Sequence, residues 1–263
     1  MRNGLAFGAN DTIQLSDKQF VAPRLQHNDD GTITVRGDQA TAQELFGNNS
    51  PARHVARAYF TWDLPDLRSS STVGRTIGLI VNDWSLSGIW NGVSGNPYSV
   101  NFTYQSGGGN VNLTGSPDYA ARVYVLGDTG GGCSSDPLKQ FNTGVFKGPA
   151  AGSVGLESAS NYLRGCFVSS MDFAIARTIQ FGGGRGLQIR LDVFNSFNQA
   201  AITNRNASMT LSSPADPLTI QNSPFNPDGS VIAARAVPRG AGFGVASAYQ
   251  APRTMQLQIR FMF

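Results

Sequence analysis

Charge is scarce in this chain. Only 14% of its 263 residues are Asp, Glu, Lys or Arg, against about 25% in soluble domains. Long apolar runs are missing as well. No purely apolar stretch exceeds four residues, as in Val123-Tyr124-Val125-Leu126, and Leu79-Ile80-Val81 has three, far short of the ~20 residues a membrane helix needs, which excludes a helical membrane protein. The start, Met1 to Asp11, carries no apolar core of about 7–15 residues, so no secretory leader is read there. The two histidines, His27 and His54, come without an HExxH or CxxC pattern, so a zinc site has no support. GxSxG is absent, and the glycine clusters Gly182 to Gly186 and Gly240 to Gly244 miss the phosphate-cradling spacings. They read as turn geometry, as do Asp29-Asp30-Gly31 and Asp228-Gly229. Nothing points to an enzyme or a cofactor. The net charge is +3 and the basic residues are scattered, which speaks against nucleic acid. The two cysteines, Cys133 and Cys166, permit one disulfide in an oxidising compartment or two free thiols.

What the chain does have is alternation, together with 31 glycines and 13 prolines. From Thr254 to Phe263, Met255, Leu257, Ile259, Phe261 and Phe263 fall on one face and Gln256, Gln258 and Arg260 on the other. That length, alternating at period two, crosses a bilayer when tilted. Leu187, Ile189, Leu191 and Val193 alternate with Gln188, Arg190 and Asp192; Met171, Phe173, Ile175, Ile179 and Phe181 alternate likewise just before them. Gly182 to Gly186 between the two runs predicts a hairpin. Arg177 interrupts the apolar face, either at a bulge or by snorkelling to an interface. Ala58, Phe60, Trp62 and Leu64 alternate up to Pro65, and Trp84, Leu86, Gly88 and Trp90 follow. All three tryptophans fall near the ends of these two strands, where an aromatic girdle would place them. The expectation is all-β: an antiparallel transmembrane β-barrel segment with short turns at one end and long loops, 92–168 and 198–252, at the other. The loops are rich in Gly, Asn, Ser and Pro, as in Gly107-Gly108-Gly109-Asn110 and Gly130-Gly131-Gly132, and minor strands are expected inside them at 98–104 and 120–126. Asn101, Asn112 and Asn206 each head an Asn-x-Ser/Thr triplet, as chance supplies in an Asn-rich chain.

The run Arg190-Leu191-Asp192-Val193-Phe194-Asn195-Ser196-Phe197-Asn198 resembles the "R-x-D-x-F-N-x-F-N" strand near the end of TonB-dependent outer-membrane receptors. Gly242-Phe243-Gly244, then Pro252-Arg253-Thr254-Met255-Gln256-Leu257 and a terminal strand ending in Phe, follow in that family's order. Trp84-Ser85-Leu86-Ser87-Gly88-Ile89 with Ser94-Gly95-Asn96-Pro97 is similar to the "W-x-L-S-G-I … S-G-x-P" pattern of the Oar-like branch. The likeness runs from about residue 53 to 263, with 1–52 matching loosely. It implies a barrel of about 22 strands with an N-terminal plug.

Strands are expected at 54–64, 82–91, 169–181, 186–197 and 253–263, with one more before residue 50. A closed bacterial barrel needs at least about eight, so the whole of 1–263 is expected to be the C-terminal portion of a receptor barrel, 5–8 strands of a larger one, with no plug and no signal peptide. The resemblance further implies outer-membrane localisation, periplasmic turns, extracellular loops, and a barrel-assembly signal formed by Met255, Leu257, Ile259, Phe261 and Phe263. Partners implied are outer-membrane lipid, the barrel-assembly machinery, a ligand whose identity is not readable, and the TonB system only through the plug. Two other readings stand beside it: a soluble, lectin-like all-β binding module, and a small self-closing outer-membrane barrel or adhesin.

Overall fold

The computed structural model describes residues 4–13, 24–27, 33–36, 52–105, 113–116 and 120–263. Asp29-Asp30-Gly31, Gly107 to Asn110 and Asn112 lie outside the described residues. Six strands form one antiparallel sheet: β1 (Leu5–Ile13), β2 (His54–Asp63), β3 (Trp84–Val93), β4 (Val168–Gly182), β5 (Arg185–Phe194) and β6 (Thr254–Met262). Their spatial order is their chain order, so the sheet is a simple up-and-down meander, and β1 and β6 are its two edges. The five strands read from alternation are present within three residues of their expected limits, and β1 is the sixth.

Register places every apolar run on one face. Across the sheet, Leu5, Trp62, Leu86, Ile175, Leu191 and Leu257 form one row, and Phe7, Phe60, Gly88, Phe173, Val193 and Met255 the next. Directly opposed residues in antiparallel strands share a face, so the rows stack into a continuous apolar surface. Gly88 has a specific task in it. A Cβ there would lie 2.4 Å from Phe60, and its absence lets the rings of Phe60 and Phe173 meet across β3 at 6.2 Å, edge to face. The opposite face carries Arg57, Thr61, Ser85, Ser87, Asp172, Gln188, Gln256, Gln258 and Arg260, with an Arg190–Asp192 ion pair at 2.7 Å.

The connections alternate in length. At one end β4 turns into β5 through Gly182, Gly183 and Gly184, all at positive φ, where other residues are strained. The strand register slips once there, between Gln180 and Gly182. Arg177 is therefore not at a bulge: it pairs in register with Trp84 and Ile189. At the same end β2 joins β3 through a helix that the alternation did not announce, α1 (Thr72–Val81). Ser71 caps it by accepting a hydrogen bond from the Gly74 N–H at 3.0 Å. Asn82 ends it, its backbone N–H still donating to the Gly78 carbonyl and its side chain exchanging two hydrogen bonds with the Leu67 backbone.

At the other end the two long connections fold together into a packed layer, here called the cap. Asn101–Tyr104 pairs in parallel with Ser208–Ser213, so one long connection contributes a strand to the other, and Asp216–Ile220 extends that sheet. Ile202–Arg205 pairs with Ala246–Tyr249, Tyr124–Val125 with Phe146–Lys147, and Pro97–Tyr98 with Leu163–Arg164. The third connection at this end contains a hairpin of Arg24–His27 with Ile33–Arg36. The molecule's buried core lies in the cap: Phe102, Leu113, Val123, Leu163, Met209, Leu211 and Phe243 belong to it. Phe141, Phe146 and Phe243 pack edge to face at 5.2 to 6.0 Å. Phe243 comes from the second long connection and the other two from the first, so this trio locks them together. Gly244 beside it holds φ at +84° and meets Thr143 too closely for a Cβ, so the Gly240 to Gly244 cluster serves packing. Cys133 and Cys166 are joined by a disulfide, which settles their state.

Candidate functional site

Three features at the surface carry functional meaning: the apolar belt, the last strand within it, and a cavity beneath the cap. The belt is interrupted by polar groups only near its ends. Asp11 and His54 lie at the cap end, with Nδ1 of His54 3.2 Å from the Asp11 carboxylate. Arg177 lies at the turn end, where its Nε donates to the Asn82 carbonyl at 3.1 Å and its terminal nitrogen to the Leu79 carbonyl. The same guanidinium stacks on Trp84, 5.7 Å from the ring centroid. A cation that bonds the carbonyls closing a helix is favourably placed against the helix dipole. Of the two sequence readings of Arg177, the structure therefore selects the reach toward an edge of the belt. Trp62 and Trp84 stand at the turn end of their strands and Trp90 near the cap end.

Met255, Leu257, Ile259 and Phe261 stand in file along β6 at 57–67% exposure. One side of β6 pairs with β5 from Gly186 to Phe194; among the described residues the other side is unpaired. Phe263 lies just past the strand and is fully exposed. In water such a file is unfavourable, at about 25 cal/mol for each Å² of apolar surface left wet.

The cavity, of about 590 Å³, opens where β3 and β4 meet the cap and is lined by Asn96, Tyr98, Asn101, Asn161, Thr203 and Arg205, among others. The Arg205 guanidinium stacks on the Tyr98 ring at 5.1 Å. Its Nε is buried and has no hydrogen-bond partner among the described residues. Burial pushes the Tyr98 phenol well above its ordinary range, against the pull of Arg205. A lone stacked cation among amide and hydroxyl groups suits a polar ligand with an acceptor group. Sequence reasoning missed this site, because its residues come from three separate loop segments with no shared motif. Among the described residues no group of His, Cys, Asp and Glu is placed to hold a metal ion.

The receptor-like run at Arg190 has a visible local job. Asn195 and Asn198 both adopt left-handed backbone, at φ +47° and +51°, which Asn tolerates better than most residues. Asn195 is buried; its side-chain amide donates to the Gln199 and Ala251 carbonyls, and its backbone N–H donates to Asp172. Asn198 in turn accepts from the Arg253 N–H at 3.0 Å. The run thus ties the cap end of β5 to β4 and to the segment leading into β6.

Residues 13–256 match a family model described as an outer membrane beta barrel domain. The chain belongs to that family. No curated protein and no solved structure matches it. The apolar face of the six-stranded sheet is therefore the lipid face of an outer-membrane barrel, and the protein is localised to the outer membrane. The face bearing Arg190, Asp192, Gln256 and Gln258 looks into the barrel interior. A soluble lectin-like module is set aside by the same match.

Proposed function

We propose that this outer-membrane barrel chain is the C-terminal part of a TonB-dependent receptor of the Oar-like branch, working in ligand uptake without a catalytic step. One observation carries the reading: β1 and β6 are separate edges of a sheet whose lipid face is continuous. Open edges in lipid leave backbone groups unpaired at several kcal/mol each. Strands supplied by the rest of a larger barrel remove that cost, whereas the six strands of this sheet among the described residues fall short of the about eight that a small self-closing barrel needs. The Arg190 to Asn198 run and its hydrogen bonds to the approach of β6 support the same family. In that orientation α1 and the glycine turn are periplasmic, the cap faces outward, and the cavity beside Arg205 is the place where ligand makes contact. Coupling to the TonB system runs through a plug domain outside this sequence. Met255, Leu257, Ile259, Phe261 and Phe263 serve as the signal read by the barrel-assembly machinery.

Reading the coding DNA in frame upstream of Met1 tests the proposal. A continuous frame encoding a plug and further strands is the expected result; a stop codon and promoter just before Met1 would overturn it. For the assembly signal, removing Phe263 from the full-length receptor is expected to reduce its heat-modifiable, membrane-inserted form. Normal insertion would show that the terminal residue is not read.

A further inference from the structure

Helix α1 raises a question that the barrel itself does not answer. It has ten residues, a length that is marginal for an isolated helix in water, so something must cover its apolar side. Val73, Ile77, Ile80 and Val81 fall four, seven and eight positions apart, which aligns them in one stripe. All four are exposed. Arg75 lies on the opposite side of the helix, and the one residue of α1 that this chain buries is Gly78.

The position of the helix tells what covers the stripe. Trp84 and Arg177 belong to the lipid face of the sheet, and both reach the end of α1: Trp84 Nε1 donates to the Ile80 carbonyl at 2.8 Å, and Arg177 to the Asn82 and Leu79 carbonyls. The helix is thus fastened outside the barrel wall, at the turn-end border of the apolar belt. Its stripe is continuous with a surface that already faces lipid. Between α1 and β4 lies a cleft of about 480 Å³ lined by Arg68, Arg75, Arg177, Leu79 and Ile179, with Asp83 at its side. Among the described residues no carboxylate forms an ion pair with Arg68 or Arg75.

We propose that α1 is an interfacial helix seated on the membrane, with Val73, Ile77, Ile80 and Val81 at the acyl-chain boundary and Arg68 and Arg75 on the phosphates of anionic phospholipid. An amphipathic helix with basic residues on its polar side takes this position when its apolar area and charge both favour the bilayer. This inference rests on the membrane placement of the sheet and is independent of which side the turn end faces.

The test uses the full-length receptor that carries this chain, reconstituted in phosphatidylglycerol-containing vesicles with the Cys133–Cys166 disulfide intact. A bimane label is placed by Val73→Cys, Ile80→Cys, Leu257→Cys or Ala150→Cys, and lipids brominated near the headgroup or deep in the acyl chain serve as quenchers. The expected result is blue-shifted emission and strong shallow quenching at Val73→Cys and Ile80→Cys, deep quenching at Leu257→Cys, and none at Ala150→Cys. Arg68→Gln with Arg75→Gln is expected to weaken shallow quenching in anionic vesicles and to change little in zwitterionic ones. An unquenched, water-like signal at positions 73 and 80 while 257 is quenched would overturn the proposal and leave the barrel standing. A blue shift at 73 and 80 without bromine quenching would overturn it in favour of a protein partner or a second copy. Absence of quenching at 257 as well would overturn the membrane placement of the sheet itself.

Discussion

The sheet and the cap place their apolar side chains in opposite surroundings. The cap surrounds them with protein: Phe243, Met209 and Leu211 are wholly buried, and Phe141, Phe146 and Phe243 touch one another. The sheet is a single layer in which one face is apolar and exposed and the other polar. A sheet in water needs a second layer over its apolar face; this one has the bilayer in that place. The cap, composed of what reads as loop, holds the part of the molecule that resembles a soluble domain. The two regions should therefore respond differently to the same kinds of change.

The largest separation between them is expected at Phe243. Phe243→Ala removes the ring that joins the two long connections, and a fully buried Phe truncated to Ala costs about 3–5 kcal/mol. The cap should lose its near-ultraviolet circular dichroism and become sensitive to protease, while the strand signal in the far ultraviolet persists. If sheet and cap melt together, they are one cooperative unit and the contrast fails.

Next is the disulfide. Cys133 and Cys166 are 33 residues apart, and closing a loop of that size is worth about 3–4 kcal/mol by chain entropy. Cys133→Ser with Cys166→Ser is expected to lower the unfolding free energy of the cap by that amount, read as a fall in its denaturant midpoint, with the sheet transition unmoved. Fluorescence of Trp62, Trp84 and Trp90 follows the sheet, since all three lie in β2 and β3.

For the sheet the test is the sidedness of β6. Leu257→Arg puts a charge on the lipid face and should cost about 2–4 kcal/mol near the bilayer midplane. Gln256→Arg, one residue away and opposite Asp192 in the register, should be nearly neutral. Urea-dependent refolding of the full-length receptor into vesicles measures both. Equal costs at the two positions would mean that the faces are misassigned.

How much of this was readable in the residues follows the same division. Period-two alternation located β2 to β6, because a strand with lipid on one side and a polar interior on the other must alternate strictly. Pairing register then required only that apolar faces coincide. The cap was only partly visible to that signal: the minor strands expected at 98–104 and 120–126 are present as Asn101–Tyr104 and Tyr124–Val125, but nothing announced their partners. Its strands are two to six residues long, and Asn101–Tyr104 finds Ser208–Ser213 across more than a hundred positions, a pairing no local period encodes. Helix α1 was missed for a related reason: Val73, Ile77, Ile80 and Val81 mark a helical stripe, but in a chain read as strands and turns the segment between Pro65 and Asn82 counted only as a connection. Arg177 could be flagged as an interruption from sequence, yet its meaning needed the helix end that it bonds.

The smallest expected effect is a titration confined to the cap. Tyr162 accepts a hydrogen bond from the Val100 N–H at 3.1 Å, and burial pushes its phenol from 10.0 up to about 12. The unfolded chain therefore releases this proton at a lower pH than the folded cap does. Stability is unaffected below about pH 10, falls as pH rises through the window from 10 to 12, and levels off beyond it. Tyr98 adds to the slope in the same direction, since burial raises its phenol as well. Tyr162→Phe should flatten the alkaline decline of the cap without changing its form below pH 9, as read by denaturant midpoints across pH. The sheet transition, followed by tryptophan, should show no matching slope from Tyr162. If the decline persists in Tyr162→Phe and vanishes in Tyr98→Phe, the cavity beside Arg205 rather than the cap core sets the alkaline limit.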